Sequence, residues 1–466
     1  MDYKITFLAL FSVFISANAQ DVCFEPSNYV SGGFPNSVIS TDLNGDGFPD
    51  IASTSIIGNM YNNVKVMINM GNGTYSALTG NSNFPVGTQP LQLVAGDFNE
   101  DDITDIATIN STGGNITILI GDGEGYFTPL STFNINSGQQ YPKGLVAADF
   151  NNDNHIDLAA GGGNNKVALF LGTGTGAFGE ASFINLTGDN GIYNIAKADL
   201  NADGNIDIVT ANYIAGSVSV ITGNGDGTFN TPTYITTGDS PRSVTPDDIN
   251  HDNIPDLLVP NFDSGNISIH IGAGDGTFGE PTTYTVTNPS SIAVTDFNID
   301  GITDLVVTNN DGSETSGVSV LLGNNNGDGT FETPISFAGG LYATTVIIDD
   351  LNMDEKPDMV VSNYNSGNDG QKNISVFLNC TEITANTDKL SLNDLILYPS
   401  PASGQLNVQL PQGVILEKAI FYNTLGQKVL EGSTETTWNI SSLANGVHFV
   451  TLITDKGSKQ LRFIKE

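Results

Sequence analysis

Seven short stretches hold the residues of this 466-residue chain that could do chemistry. The first, DLNGDGFPDI, sets Asp42, Asn44, Asp46 and Asp50 at positions 1, 3, 5 and 9, with Phe48 at position 7. Odd-numbered side chains of a tight loop can converge on one point. Carboxylate, amide and carbonyl oxygens are the donors a hard cation takes, and a bidentate Asp at position 9 would raise their number to the roughly six or more that calcium needs. Magnesium asks for a stricter octahedron and zinc for nitrogen or sulfur, which these loops mostly lack. No Glu stands at position 12, and Ile51 opens an extended run where a helix-flanked calcium loop would begin its second helix.

The pattern recurs six times. The second loop offers Asp97, Asn99, Asp101, Ile103 and Asp105, and the third Asp149, Asn151, Asp153, His155 and Asp157. The fourth has Asp199, Asn201, Asp203, Asn205 and Asp207, and the fifth Asp248, Asn250, Asp252, Ile254 and Asp256. Asp296, Asn298, Asp300, Ile302 and Asp304 form the sixth; Asp350, Asn352, Asp354, Lys356 and Asp358 form the seventh. Position 7 is expected to give its backbone carbonyl, so its side chain is free to vary. Position 2 is always apolar and would pin the loop to a core. Position 6 needs a positive φ, which Gly47, Gly204 and Gly301 accept freely and Glu355 accepts least well, so the seventh loop is expected to bind most weakly. A metal-free, Asx-rich turn is the alternative for any one loop. Seven in register argue for calcium, up to seven ions.

The loops start 55, 52, 50, 49, 48 and 54 residues apart. Each unit reads as a strand such as LVAAD, the acidic loop, a second strand such as IVTAN, a third such as VSVITG, and a GDGTF-like turn into a fourth. Strand alternation prevails and no helical period appears. Four strands per unit of about fifty residues make a propeller blade, so the fold expected is an all-β, seven-bladed β-propeller. After VFLN the last unit stops at Cys380 without its fourth strand, while CFEPSNY, from Cys23, matches the fourth-strand sequence FGEPTTY. The N-terminal strand should therefore complete the last blade. The only two cysteines, Cys23 and Cys380, flank this junction. A disulfide between them fits an oxidising compartment; two unrelated free thiols are the alternative.

Residues 1–19 read as a secretory signal peptide: Lys4, the apolar run ITFLALFSVFI, and the small-residue site Ala17-Asn18-Ala19. No other stretch is long enough to be a transmembrane segment. With 51 acidic residues against 15 basic ones, the chain is a poor candidate for nucleic acid.

The DFNxDGxxDL loops followed by GNGDGTF turns resemble the FG-GAP or VCBS repeats of integrin-α-like seven-bladed propellers, over residues 20–380. The resemblance implies calcium in the loop joining the first two strands of each blade, and it implies no activity. After a polar linker at 381–392, residues 393–466 (ILYPSPASGQLNV, FYNTLGQKVLEG, NGVHFVTLITDKGSKQLRFIKE) resemble the C-terminal sorting domain of Bacteroidetes type IX secretion. That implies a small Ig-like β-sandwich, engagement of the type IX machinery, and a protein that is secreted or held at the outer-membrane surface.

No Ser-His-Asp or Cys-His set and no phosphate loop is suggested, so an enzyme is not expected, although acid pairs are too numerous to dismiss a glycan-cleaving one. By blade geometry, the acidic loops and GDGTF turns share one face. The other face should carry Tyr213, Phe262 and Tyr364 in equivalent loops, with Lys143 and Arg242 after equivalent prolines. Aromatic and basic residues on the less acidic face make it the expected docking surface for a protein or glycan ligand. The function expected is an extracellular calcium-binding adhesion or interaction module; the alternative is a carbohydrate-binding or polysaccharide-degrading propeller.

Overall fold

The computed structural model describes residues 22–57, 61–135, 141–162, 165–188, 191–312, 317–324, 327–365, 373–381, 395–410, 415–423, 427–454 and 457–466. The expected signal peptide, and the linker beyond Thr381, lie outside the described residues. The chain divides after Thr381 into two compact units.

The first unit contains seven antiparallel sheets, each a blade. The second blade is representative: Pro90–Gly96, Asp105–Asn110, Asn115–Gly121 and Phe127–Asn134, paired in that order. The first blade splits its fourth strand into Tyr75–Ala77 and Asn83–Pro85, both paired with Tyr61–Asn69. Burial explains the compositions. Second strands such as DIATIN and DIVTAN are buried along their whole length, because neighbouring blades cover both faces of the sheet. Fourth strands such as TYIT lie at the rim and are polar. The packing runs from blade to blade: Phe98 and Ile109 of the second share a cluster with Leu145, Leu158 and Phe170 of the third.

The ring closes as expected. Phe24–Tyr29 pairs with Ile374–Asn379, so the last blade takes its outer strand from the N-terminus. Cys23 and Cys380 are disulfide-bonded, and the Cys380 amide donates to the Cys23 carbonyl at 3.0 Å. Val38, Ile51 and Met67 of the first blade pack with Leu351, Val360 and Val376 of the last.

The second unit is a two-sheet sandwich. One sheet pairs Ile396–Tyr398, Gln405–Gln409 and Thr437–Asn439; the other pairs Leu416–Asn423 with Lys428–Gly432 and with Gly446–Thr454, which in turn pairs Gly457–Lys465. Leu406, Phe421, Trp438 and Phe463 fill its core. Among the described residues there is no helix, and hence none able to cross a membrane.

Candidate functional site

The seven acidic loops fold alike. Position 2 (Leu43, Phe98, Phe150, Leu200, Ile249, Phe297, Leu351) is buried in every one and anchors the loop. The position-1 carboxylate then gathers the backbone. In the fourth loop Asp199 Oδ1 accepts the Asp203 amide at 3.1 Å and Oδ2 the Gly204 amide at 2.8 Å, while Asp203 Oδ1 accepts the Asn205 amide at 2.8 Å. Position 6 has positive φ throughout, including Glu355 at 66°. Position 4 is left-handed too, which the sequence reading missed: Glu100, Asn152, Ala202, His251, Ile299 and Met353 all lie between 56° and 61°. For a β-branched Ile this is a costly conformation, held only because the surrounding amides are so fully bonded. The seventh loop has the same bonds as the second to the sixth, so the expected weakness at Glu355 has no counterpart in its backbone. Lys356 does stand 3.7 Å from Asp354 and offsets part of its charge.

Position 9, expected as a bidentate ligand, also has a structural part. Asp50, Asp105, Asp157, Asp207, Asp256, Asp304 and Asp358 are fully buried. Each joins two backbones: Asp207 Oδ2 accepts the Leu200 amide at 2.9 Å and Oδ1 the Gly223 amide at 2.7 Å. Gly223 stands where the third strand ends, and a Cβ there would lie 2.4 Å from the Ile206 carbonyl oxygen. Gly121, Gly172, Gly272 and Gly323 are equally confined. The first and last blades put Asn69 and Asn379 there instead. Their amides donate to the corresponding carbonyls of Pro49 and Pro357, and also reach the neighbouring blade at Leu351 O and Phe297 O. Burial, opposed by these amide hydrogen bonds and reinforced by the carboxylates at positions 5 and 1, pushes Asp50, Asp105, Asp157, Asp256 and Asp358 up to about 6 and Asp304 to about 7.

Among the described residues, no three or more His, Cys, Asp or Glu side chains are so grouped that they could hold a metal by themselves. A cation would need the Asn at position 3 and the carbonyl at position 7 as well. The donor set is all oxygen, and no hydrogen-bond donor engages the position-7 carbonyls among the described residues. That chemistry fits calcium, with positions 1, 3, 5, 7 and 9 as holders.

At the other end of the blades the first strands open into a cavity of about 1000 Å³. The cavity runs down the first strands as far as Lys197 and Thr245, two and three residues before the acidic loops at Asp199 and Asp248. Lys143, Arg242 and Tyr364 line this cavity, as the sequence reading placed them, together with Tyr193, which it missed. Tyr213 and Phe262 do not line it; they stand behind. The Tyr213 ring packs 5.5 Å from Tyr193, and the Arg242 guanidinium covers Phe262 at 3.3 Å from its centroid. Lys143 Nζ sits 4.1 Å over Tyr193. Burial, with Arg242 nearby, holds the Lys143 ammonium below its usual range. A repeated Asn at the end of the second strand stiffens this rim: Asn212 donates to Ser219 Oγ at 2.7 Å and Asn261 to Ser268 Oγ at 3.1 Å, both buried.

Comparison with known proteins places both units. The model of the FG-GAP-like repeat matches residues 42–108, 100–160, 149–210, 199–259, 248–307 and 296–361, each match running from one acidic loop into the next blade. The chain belongs to the FG-GAP-like repeat family. The model of the secretion system C-terminal sorting domain matches residues 396–466, so this FG-GAP protein is a type IX export substrate, secreted or displayed at the outer-membrane surface. Among curated proteins, none matches this sequence. Among solved structures, the FG-GAP chain is similar to BBS1N in complex with ARL6DN, at 13% identity and a TM-score of 0.51, over 78% of this chain and 97% of that one. It is also similar to a protein from Bacteroides uniformis assigned as a 6-phosphogluconolactonase, at 16% identity and 0.51, over 65% and 86%. At those identities the likeness is one of fold: both support the propeller and neither carries a function to this FG-GAP protein.

Proposed function

We propose that this exported FG-GAP propeller is an extracellular interaction module, with calcium in its seven acidic loops and its docking site in the cavity at the opposite end. Calcium bound by the loop oxygens would neutralise crowded carboxylates and add stability to the native ring. The docking site itself is made by the chain. One observation carries this reading: Lys143 and Arg242 line the cavity without pairing to any carboxylate among the described residues, in a chain with 51 acids and 15 bases. Cations left unpaired amid such an excess of acid are held for something that is not part of the propeller.

The test is binding of the purified protein to extracellular polysaccharides and surface proteins, with and without calcium, alongside a screen for polysaccharide cleavage. Retained binding in a folded variant with Tyr342→Ala and Tyr364→Ala, both at the cavity rim, would remove the cavity from consideration.

A further inference from the structure

The lining of the cavity defines what it can accept. Among the described residues that line it there is no Asp or Glu, although acidic residues outnumber basic ones more than threefold in the chain. Three cations, Lys143, Lys197 and Arg242, face it. Lys197 is occupied, since its ammonium donates to the Ala147 carbonyl. Arg242 is not: its Nε is buried and has no hydrogen-bond partner. Its guanidinium carbon lies 3.3 Å from the centroid of the Phe262 ring, a cation–π contact that holds the group at the cavity wall without using its N–H donors on a carboxylate. The buried Ser243 hydroxyl beside it is likewise without a partner. Buried polar groups are almost always satisfied, and one that is not usually awaits a ligand or water.

The rest of the lining consists mainly of amides, hydroxyls and tyrosine rings, among them Asn194, Gln92 and Tyr342. Amides and hydroxyls both donate and accept, as sugar hydroxyls do, and flat rings cover the apolar faces of pyranoses. A polypeptide ligand would pair with an exposed strand edge, whereas most residues of this lining offer side-chain amides, hydroxyls or tyrosine rings, with apolar side chains such as Leu91 and Val146 between them.

We infer that the cavity binds an acidic saccharide, its carboxylate held between Arg242 and Lys143, the two cations gathered about Tyr193. This rests on the cavity being the docking site. A planar carboxylate matches the Arg fork, and the charge-assisted hydrogen bonds so formed are the stronger kind. Bound there, the carboxylate would supply the counter-charge that the folded chain denies both cations.

The experiment uses the full mature chain in calcium-containing buffer. Calorimetry is run with short oligosaccharides bearing glucuronate, galacturonate or mannuronate, with their carboxyl-reduced neutral counterparts, and with polyglutamate. At least one uronate series should bind, its reduced counterpart should bind about tenfold or more weakly, and polyglutamate should not bind. Arg242→Gln and, separately, Lys143→Met should each weaken uronate binding about tenfold, while melting in the absence of sugar falls only slightly, by the loss of one cation–π contact with Phe262 or Tyr193. Rising salt should weaken the wild type more than either variant. Equal binding of uronate and reduced sugars, or uronate binding indifferent to both substitutions, overturns the inference. If only neutral sugars or polyglutamate bind, and Tyr342→Ala abolishes that binding, the docking cavity stands and the acidic-saccharide assignment falls. If nothing binds, both fall together.

Discussion

The guanidinium carbon of Arg242 lies 3.3 Å from the centroid of the Phe262 ring and 5.8 Å from that of Tyr193. Phe262 directly follows the second strand of its blade, Asp256–Asn261, and Arg242 precedes the first, Thr245–Asp247. Two loops that are distant in sequence order are thus joined by one cation. Phe262→Leu keeps the apolar volume and removes the ring face, so it should cost about 1 kcal/mol of stability. It should also free Arg242 and weaken ligand binding, which a melting curve and a titration measure separately.

Asp203 and Asp207 belong to one loop and should answer calcium differently. Asp207→Ala leaves the buried Leu200 and Gly223 amides without acceptors, a loss of roughly 2 to 6 kcal/mol from two unsatisfied groups. That loss should appear even with chelator, and calcium should widen it because a holder is gone as well. Asp203→Ala removes an exposed carboxylate, and its main effect should be on the stability that calcium adds. Asp354→Ala should lose less than Asp203→Ala, because Lys356 already offsets that charge. Equal losses for Asp203→Ala in both buffers would mean that the loops hold no calcium.

Chelated protein should become more stable as pH falls from 7.5 to 5.5. Asp50, Asp105, Asp157, Asp256 and Asp358 have folded values of about 6 and Asp304 about 7, above the ordinary value near 4, and burial raises Asp207 as well. Between those limits the native state binds more protons than the unfolded chain. Stability from this source is complete below about 4 and is lost as pH rises through 6 to 7. With calcium present the carboxylates are held ionised, and the trend should flatten or reverse. Melting temperatures in the two buffers across that range decide it.

Removing the Cys23–Cys380 crosslink should lower stability without opening the last blade in native conditions. The bond spans 357 residues, and the chain-entropy estimate for so long a loop is about 6 kcal/mol. Six strand pairings from Phe24 to Tyr29 survive its loss, as do the contacts of Phe24 with Phe297 and Phe337. A Cys23→Ser, Cys380→Ser variant should therefore melt early and cooperatively, while hydrogen exchange at Ile374–Asn379 stays slow in the cold.

Much of this molecule was legible in its sequence because each blade repeats the same local physics. The alternation of short strands, the apolar position 2, the left-handed position 6 and the missing fourth strand after Cys380 are all nearest-neighbour signals, and the structure bears out each. The unpaired charge of Arg242 could not be read that way. Whether a cation meets a carboxylate depends on which of 51 acids the ring brings near it, and the ring sends them elsewhere. Tyr193 gave no signal either, since it lies inside a first strand, IYNIAKA, and gains its role only when seven such strands converge on one axis. The hydrogen bonds that position 9 makes to the end of the third strand give no sequence signal, because Gly223 or Asn379 lie 16 to 21 residues away and become neighbours only through pairing of the second and third strands. Local sequence determined the blades. Only closure of the ring decided which side chains are buried, which are paired, and which are left facing the cavity, because those are relations between blades.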